Sequence, residues 1–314
     1  MISDLVLGTM YFGTRTDEET SFALMDRFVE AGGRMLDTAN CYSFWSSESG
    51  AGGQSEATIG RWLAARPGLR DQVEVATKVG VEPVDPTDHS AGQEGLSPGV
   101  IARECDRSLE RLGVDRIDLY WAHGEDRSTD VTASAEAFGH LVADGKVARL
   151  GVSNHTTWRV ERGRASALAQ GLEPWTALQL TTSYVRPRPD VTVPGKDHRF
   201  GFVSDETLDY ASENAPMELW AYSPLVQGSY DREDRPFPEE YDHPGTTRRL
   251  AVLGEVAAGL GATRGQVALA WLLHGRPAIR PIIGVSSVEQ LDEALAAGSL
   301  EVDEATMARL DSPC

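Results

Sequence analysis

Eight short, continuous apolar runs punctuate the chain, and amphipathic stretches of helical period separate them. The runs are Leu5–Gly8, Met35–Thr38, Val73–Thr77, Ile117–Ala122, Ala148–Val152, Ala177–Leu180, Leu219–Ala221 and Pro281–Gly284. Continuous apolar character, as opposed to strict alternation, is what parallel strands buried on both faces require. Between them, Glu18–Ala31, Glu56–Ala65, Pro98–Leu112, Ser134–Ala143, Thr157–Gln170, Asp205–Asn214 and Gln266–Leu273 carry helical periodicity. Ser97 before Pro98 reads as an N-cap with proline in the first turn, and Gly113 ends that helix. Asp144-Gly145 closes the next. Strand followed by helix, without repeat or low-complexity linker, predicts an α/β protein built as one (β/α)8 TIM barrel over residues 1–314.

An open dinucleotide-binding sheet would carry GxGxxG straight after its first strand. Gly50-Ala51-Gly52-Gly53 follows a polar loop and Gly259-Leu260-Gly261 closes a helix, so neither qualifies. In a barrel the active site is expected at the C-terminal ends of the strands. Three long loops, 43–55, 184–202 and 226–245, each follow a predicted strand at that end.

Charge and cysteine usage narrow the function. The 48 acidic and 29 basic residues leave a net charge of −19, with no basic stripe for nucleic acid or an anionic membrane. No run approaches the ~20 apolar residues of a membrane helix, and Met1-Ile2-Ser3-Asp4 opens no secretory signal. Cys41, Cys105 and Cys314 are an odd set without CxxC spacing, as expected of reduced thiols in a cytoplasmic protein. The seven histidines are scattered, without the HxH clustering of a metal-dependent hydrolase, and no metal is expected. Three lysines, Lys78, Lys146 and Lys196, stand against 26 arginines, so a lysine at a strand end is informative.

Asp37 ends the second strand, Tyr42 lies five residues on, Lys78 ends the third strand and His123 the fourth. Reducing a carbonyl needs a hydride for carbon and a proton for oxygen. A phenol, with a reference pKa near 10, is a poor acid unless its anion is stabilised. An adjacent ammonium does that, and Asp37 would keep Lys78 charged and oriented. His123 would donate a hydrogen bond to the carbonyl oxygen.

These residues sit in segments that resemble the aldo-keto reductases along nearly the whole chain. The matching segments are Leu7-Gly8-Thr9-Met10, Leu36-Asp37-Thr38-Ala39 with Tyr42, Ala76-Thr77-Lys78, Asp118 to His123, Gly151-Val152-Ser153-Asn154, Gln179, Ala221 to Leu225, and Ile282-Ile283-Gly284 with Gln290. The resemblance implies a (β/α)8 barrel that uses NADP(H), with NAD(H) as the alternative, to reduce an aldehyde or ketone with Tyr42 as general acid. It also implies a cofactor set. Gly8, Thr9, Met10 and Asp37 would line the nicotinamide side. Ser153, Asn154 and Gln179 would bond the carboxamide, and Tyr222 would stack on the ring. Ser223, Leu225, Gln227 and Gly228 would wrap the pyrophosphate, and Gly284, Ser286, Gln290 and Glu293 would meet the adenosine end.

Departures from the family pattern matter too. Many relatives place Arg or Lys after the glycine of the eighth strand, where this chain has Val285-Ser286-Ser287. Arg232 or Arg235 would then have to supply a cation for a 2′-phosphate. Gly124-Glu125-Asp126 replaces the common Trp-Pro after His123 and is expected to widen or polarise that wall. Loop position nominates Met10, Phe12, Phe44, Trp45, Trp121 and Tyr230 for the substrate pocket. The expected partner is a small-molecule carbonyl compound. The alternative reading is a cofactor-binding regulatory subunit of the same fold.

Overall fold

The computed structural model of the chain describes residues 1–189, 191 and 201–312. Eight strands close into a barrel in sequence order: β1 (Val6–Gly8), β2 (Met35–Asp37), β3 (Glu74–Val79), β4 (Ile117–Ala122), β5 (Val147–Ser153), β6 (Ala177–Thr181), β7 (Glu218–Tyr222) and β8 (Ile279–Gly284). Each coincides with one of the eight apolar runs to within two residues. The pairings of β2 with β3, β3 with β4, β4 with β5, β5 with β6, and β7 with β8 are parallel. The chain forms two compact units, residues 7–179 and residues 1–6 with 180–314.

In residues 7–179, helices α1 (Glu18–Glu30), α2 (Gln54–Ala64), α3 (Pro98–Leu112), α4 (Val131–Ala143) and α5 (Thr157–Ala169) alternate with the strands. Their ends follow the sequence signals. Pro98 opens α3 and Gly113 closes it in the left-handed region, at φ 64°. Asp130 caps α4 through a bond from the Thr132 amide. Register fixes which side chains share a level: Asp37 stands opposite Ala76, Lys78 opposite Trp121, Trp121 opposite Gly151, and Ser153 opposite Gln179. Gly151 is needed at its level, because a Cβ there would lie 2.3 Å from Trp121 Cε3.

In residues 1–6 and 180–314, β7 and β8 accompany α6 (Asp205–Glu213), α7 (Pro244–Leu260), α8 (Arg264–His274), α9 (Val288–Ala296) and α10 (Glu304–Asp311). Tyr184, Tyr230, Tyr241, Leu253, Val267 and Leu310 form an apolar cluster there. Helices α7, α9 and α10 extend the seven helices read from periodicity, which gave only the stop of α7 at Gly259-Leu260-Gly261. The loops at 43–55 and 226–245 contain short 3₁₀ turns at Phe44–Ser46, Val226–Gly228 and Glu239–Tyr241. Most of the 184–202 loop, with Lys196, and also Cys314, lie outside the described residues. Among the described residues, no single helix is long and apolar enough to cross a membrane, and no group of three acidic, histidine or cysteine side chains could hold a metal.

Candidate active site

Adjacent parallel strands bring the polar residues of residues 7–179 together. Ala76 and Lys78 share one face of β3, because side chains alternate along a strand. Asp37 is level with Ala76, so the lysine stem reaches back one pleat to the carboxylate. Lys78 Nζ donates to Asp37 Oδ2 at 2.6 Å, to the Thr38 carbonyl at 2.7 Å and to Tyr42 Oη at 3.2 Å. An ammonium has three hydrogens, and all three are used. The lysine is fully buried, where an ionised group survives only if paired and hydrogen-bonded. Gln179 Nε2 donates to Asp37 Oδ1 at 3.3 Å.

Tyr42 is half-buried and meets His123 edge-on, with ring centroids 5.7 Å apart. The His123 amide donates to the Val79 carbonyl at 2.9 Å, and Asn154 Nδ2 donates to the His123 carbonyl at 3.1 Å. The four residues nominated from strand ends and the following loop thus form one cluster.

Its electrostatics differ from the expectation in one respect. Burial, and after it the negative charge of Asp37, holds the Tyr42 phenol well above its ordinary value. The expected acidification by Lys78 is reversed because burial of the phenol, with the Asp37 charge added to it, disfavours the phenolate. Burial also pushes Asp37 up, against the pull of Lys78 and the hydrogen bonds it accepts. The phenol therefore keeps its proton at neutral pH, as a general acid must. The ammonium on its oxygen can stabilise the anion once charge moves there.

Thr9 is buried and its Oγ1 donates to the Asp37 carbonyl at 3.1 Å. Gly8 and Met10 flank it, and the Met10 carbonyl accepts from Ser43 Oγ. Ser153 and Gln179 are buried and level with each other, and Asn154 takes a left-handed φ of 58°.

In the second unit, Tyr222 is half-buried and its carbonyl accepts from Thr181 Oγ1 at 3.2 Å. The segment after β7 holds unusual backbone: Ser223, Val226, Gln227 and Gly228 have φ of 53°, 46°, 58° and 91°. Positive φ at a β-branched valine is an outlier, of a kind that clusters at ligand-binding turns. Leu225 lies between them. Gly284, Ser286, Gln290 and Glu293 are exposed, and Gln290 Oε1 accepts from the Ser286 amide and hydroxyl. Arg232 is engaged by Asp234 at 2.6 Å, and Arg235 donates to the Gln227 carbonyl.

Of the aromatic pocket candidates, Phe44 and Trp45 keep part of their surface, Trp45 at 41%, whereas Phe12, Trp121 and Tyr230 are buried. Tyr230 is held by Ser183 and the Val185 amide. Trp45 stands edge-on to Tyr42, Phe44 and Tyr11, and Tyr11 was not among the candidates.

The acids after His123 are both held in hydrogen bonds. Glu125 accepts from the Thr156 amide and hydroxyl and from Arg127. Asp126 accepts from the amides of Leu96 and Ser128 and the hydroxyls of Ser128 and Thr129. Burial raises Asp126, but these bonds outweigh it and hold its carboxyl well below the usual range. Backbone donors at loop and helix starts consume both carboxylates.

Sequence reasoning missed the groups behind Tyr42. Cys41 Sγ lies 3.5 Å from His123 Nδ1. Glu82 accepts from the Gly52 amide at 2.8 Å, and Glu94 accepts from Asn40 and Gly80. Burial pushes Glu82 up to about 7. Only the adjacency of Cys41 to Tyr42 could have signalled any of these.

Comparisons with known proteins agree with this geometry. The family model described as Aldo/keto reductase family matches residues 4–313. The uncharacterized oxidoreductase YrpG of Bacillus subtilis is 31% identical over 99% of this chain and 91% of its own length. Norsolorinic acid reductase stcV of Emericella nidulans is 32% identical, covering 96% of this chain and 76% of its own. Norsolorinic acid reductase A of Aspergillus parasiticus is 30% identical, covering 99% and 77%.

Proposed function

Since the chain belongs to the aldo/keto reductase family and is thereby an oxidoreductase of small carbonyl compounds, we propose that it reduces an aldehyde or ketone to the alcohol with Tyr42 as proton donor. The observation that carries this reading is the third hydrogen of Lys78, spent on the Tyr42 oxygen at 3.2 Å. A buried ammonium with only Asp37 and Thr38 as partners would be a structural ion pair; the phenol makes it a proton-delivery device.

NADP(H) is the preferred cofactor of this reading and NAD(H) the alternative; when bound, it supplies the hydride that goes to the carbonyl carbon. The residues fit such a group. Ser153, Asn154 and Gln179 offer both donors and acceptors, as a carboxamide requires. Positive φ at Ser223, Val226, Gln227 and Gly228 gives the segment the backbone of a phosphate-binding turn. Tyr222 would stack on the ring, and Ser286 and Gln290 would bond the adenosine end. For the substrate, Tyr42 gives its proton to the carbonyl oxygen while Lys78 stabilises the phenolate left behind. His123 donates a hydrogen bond that holds that oxygen in line. Phe44, Trp45 and Tyr11 offer flat apolar surface beside Tyr42, which favours aromatic or apolar carbonyl compounds. Cys41 and Cys105 are buried free thiols, in keeping with a reducing cytoplasm.

The test is NADPH consumption, followed by its near-ultraviolet absorbance, against aromatic aldehydes, diketones and keto-sugars. Turnover of at least one class is expected. Tight NADPH binding without turnover of any would contradict the reductase reading and favour a regulatory subunit.

A further inference from the structure

A histidine that donates to a carbonyl oxygen must carry its proton on the nitrogen that faces it, and the hydrogen bond at the other nitrogen decides which tautomer is present. In His123 that other nitrogen is Nδ1, which lies 3.5 Å from Cys41 Sγ. We propose that Cys41 is a positioning residue for carbonyl reduction: its S–H donates to His123 Nδ1 and holds the imidazole as the Nε2–H tautomer. The inference rests on the carbonyl-reductase reading given above.

Three observations support it. The thiol is fixed, because Cys41 is 1% exposed and its carbonyl accepts from the Phe44 amide at 3.0 Å. Gly52 packs so closely that a Cβ there would lie 2.5 Å from Cys41 Cα. The histidine backbone is fixed by the bonds of its amide and carbonyl to Val79 and Asn154, and its ring meets Tyr42 edge-on. Finally, burial pushes the Cys41 thiol up, so sulfur keeps its proton and has one to donate. The reverse arrangement, Nδ1–H to sulfur, would leave a lone pair on Nε2 facing the substrate oxygen. Two acceptors would then meet where a donor is needed.

The experiment is ¹⁵N NMR of histidine-labelled protein without substrate, with the His123 signals assigned by their loss in His123→Asn. The wild type should show a protonated Nε2 and an unprotonated Nδ1. Cys41→Ala should mix the two tautomers and lower kcat on the order of 10-fold, less than loss of a whole donor, with KM and cofactor binding within about twofold of wild type. Cys41→Ser, which retains a donor, should restore the Nε2–H signature and most of kcat. A wild-type spectrum with Nδ1 protonated overturns the proposal even if Cys41→Ala fails to fold. An unchanged spectrum and kcat in Cys41→Ala also overturns it. Absence of wild-type turnover would instead remove the reductase reading, whatever the spectrum shows.

Discussion

Strand β3 meets an ion pair on each of its faces, and only one of them is a candidate catalyst. Lys78 meets Asp37 at 2.6 Å, with side chains 0% and 3% exposed. On the opposite face Thr77 donates to Glu56 at 2.6 Å, and Glu56 pairs with Arg111 at 2.9 Å, with side chains 30% and 0% exposed for Arg111 and Glu56. In distance, and in the burial of the carboxylate, the two pairs are near equals, although Arg111 is the more exposed cation. The difference is the remaining partner. Arg111 and Glu56 tie α2 and α3 to the strand, whereas Lys78 spends its last hydrogen on a half-buried phenol. A buried ion pair is therefore not in itself a sign of function; an uncommitted proton donor attached to it is.

Breaking each pair separates the two roles. Lys78→Met should lower turnover by about 10³-fold and, by leaving Asp37 a buried unpaired carboxylate, cost about 3–5 kcal/mol. Steady-state rates per folded molecule and urea unfolding would read these, and full activity would remove the role given to the ammonium. Arg111→Met should cost a similar 3–5 kcal/mol while turnover of the folded fraction stays within about threefold of wild type. A turnover loss matching that of Lys78→Met would erase the contrast between the faces.

A smaller effect sharpens the comparison with a carboxylate that makes no ion pair among the described residues. Burial raises Glu82 from 4.5 to about 7, and its Oε2 has no hydrogen-bond partner. The unfolded chain releases this proton at lower pH than the folded one, so stability is lost as pH climbs from about 4 to 7 and stays lost above. Glu82→Gln should thus stabilise by about 1 kcal/mol at pH 8, discounted because the group is only half-buried, and by nothing at pH 4. Equal Tm gains at both pH values would contradict the assignment.

The strands were legible because burial on both faces leaves an unbroken apolar run, which few other elements produce. Helix α7 was not, since Pro244 to Arg249 is polar and its apolar face begins only at Leu250. The candidate cluster was legible from strand-end chemistry and family motifs. The direction of the Tyr42 shift was not, because it is set by how deeply the phenol is buried beside Asp37, which only the fold decides. Nor could sequence say that Glu125 and Asp126 turn to backbone amides, as the vacancy of those amides exists only in the fold. Cys41 was equally silent: a thiol beside the proposed proton donor gains meaning only once His123 arrives from β4.

The central claim is that the Tyr42 phenol delivers the proton, and single-turnover reduction by Tyr42→Phe with bound NADPH tests it most directly. The account predicts NADPH affinity within about twofold of wild type and a reduction rate lowered by roughly 10²–10⁴-fold. A Tyr42→Phe protein that reduces the substrate at the wild-type rate would contradict it.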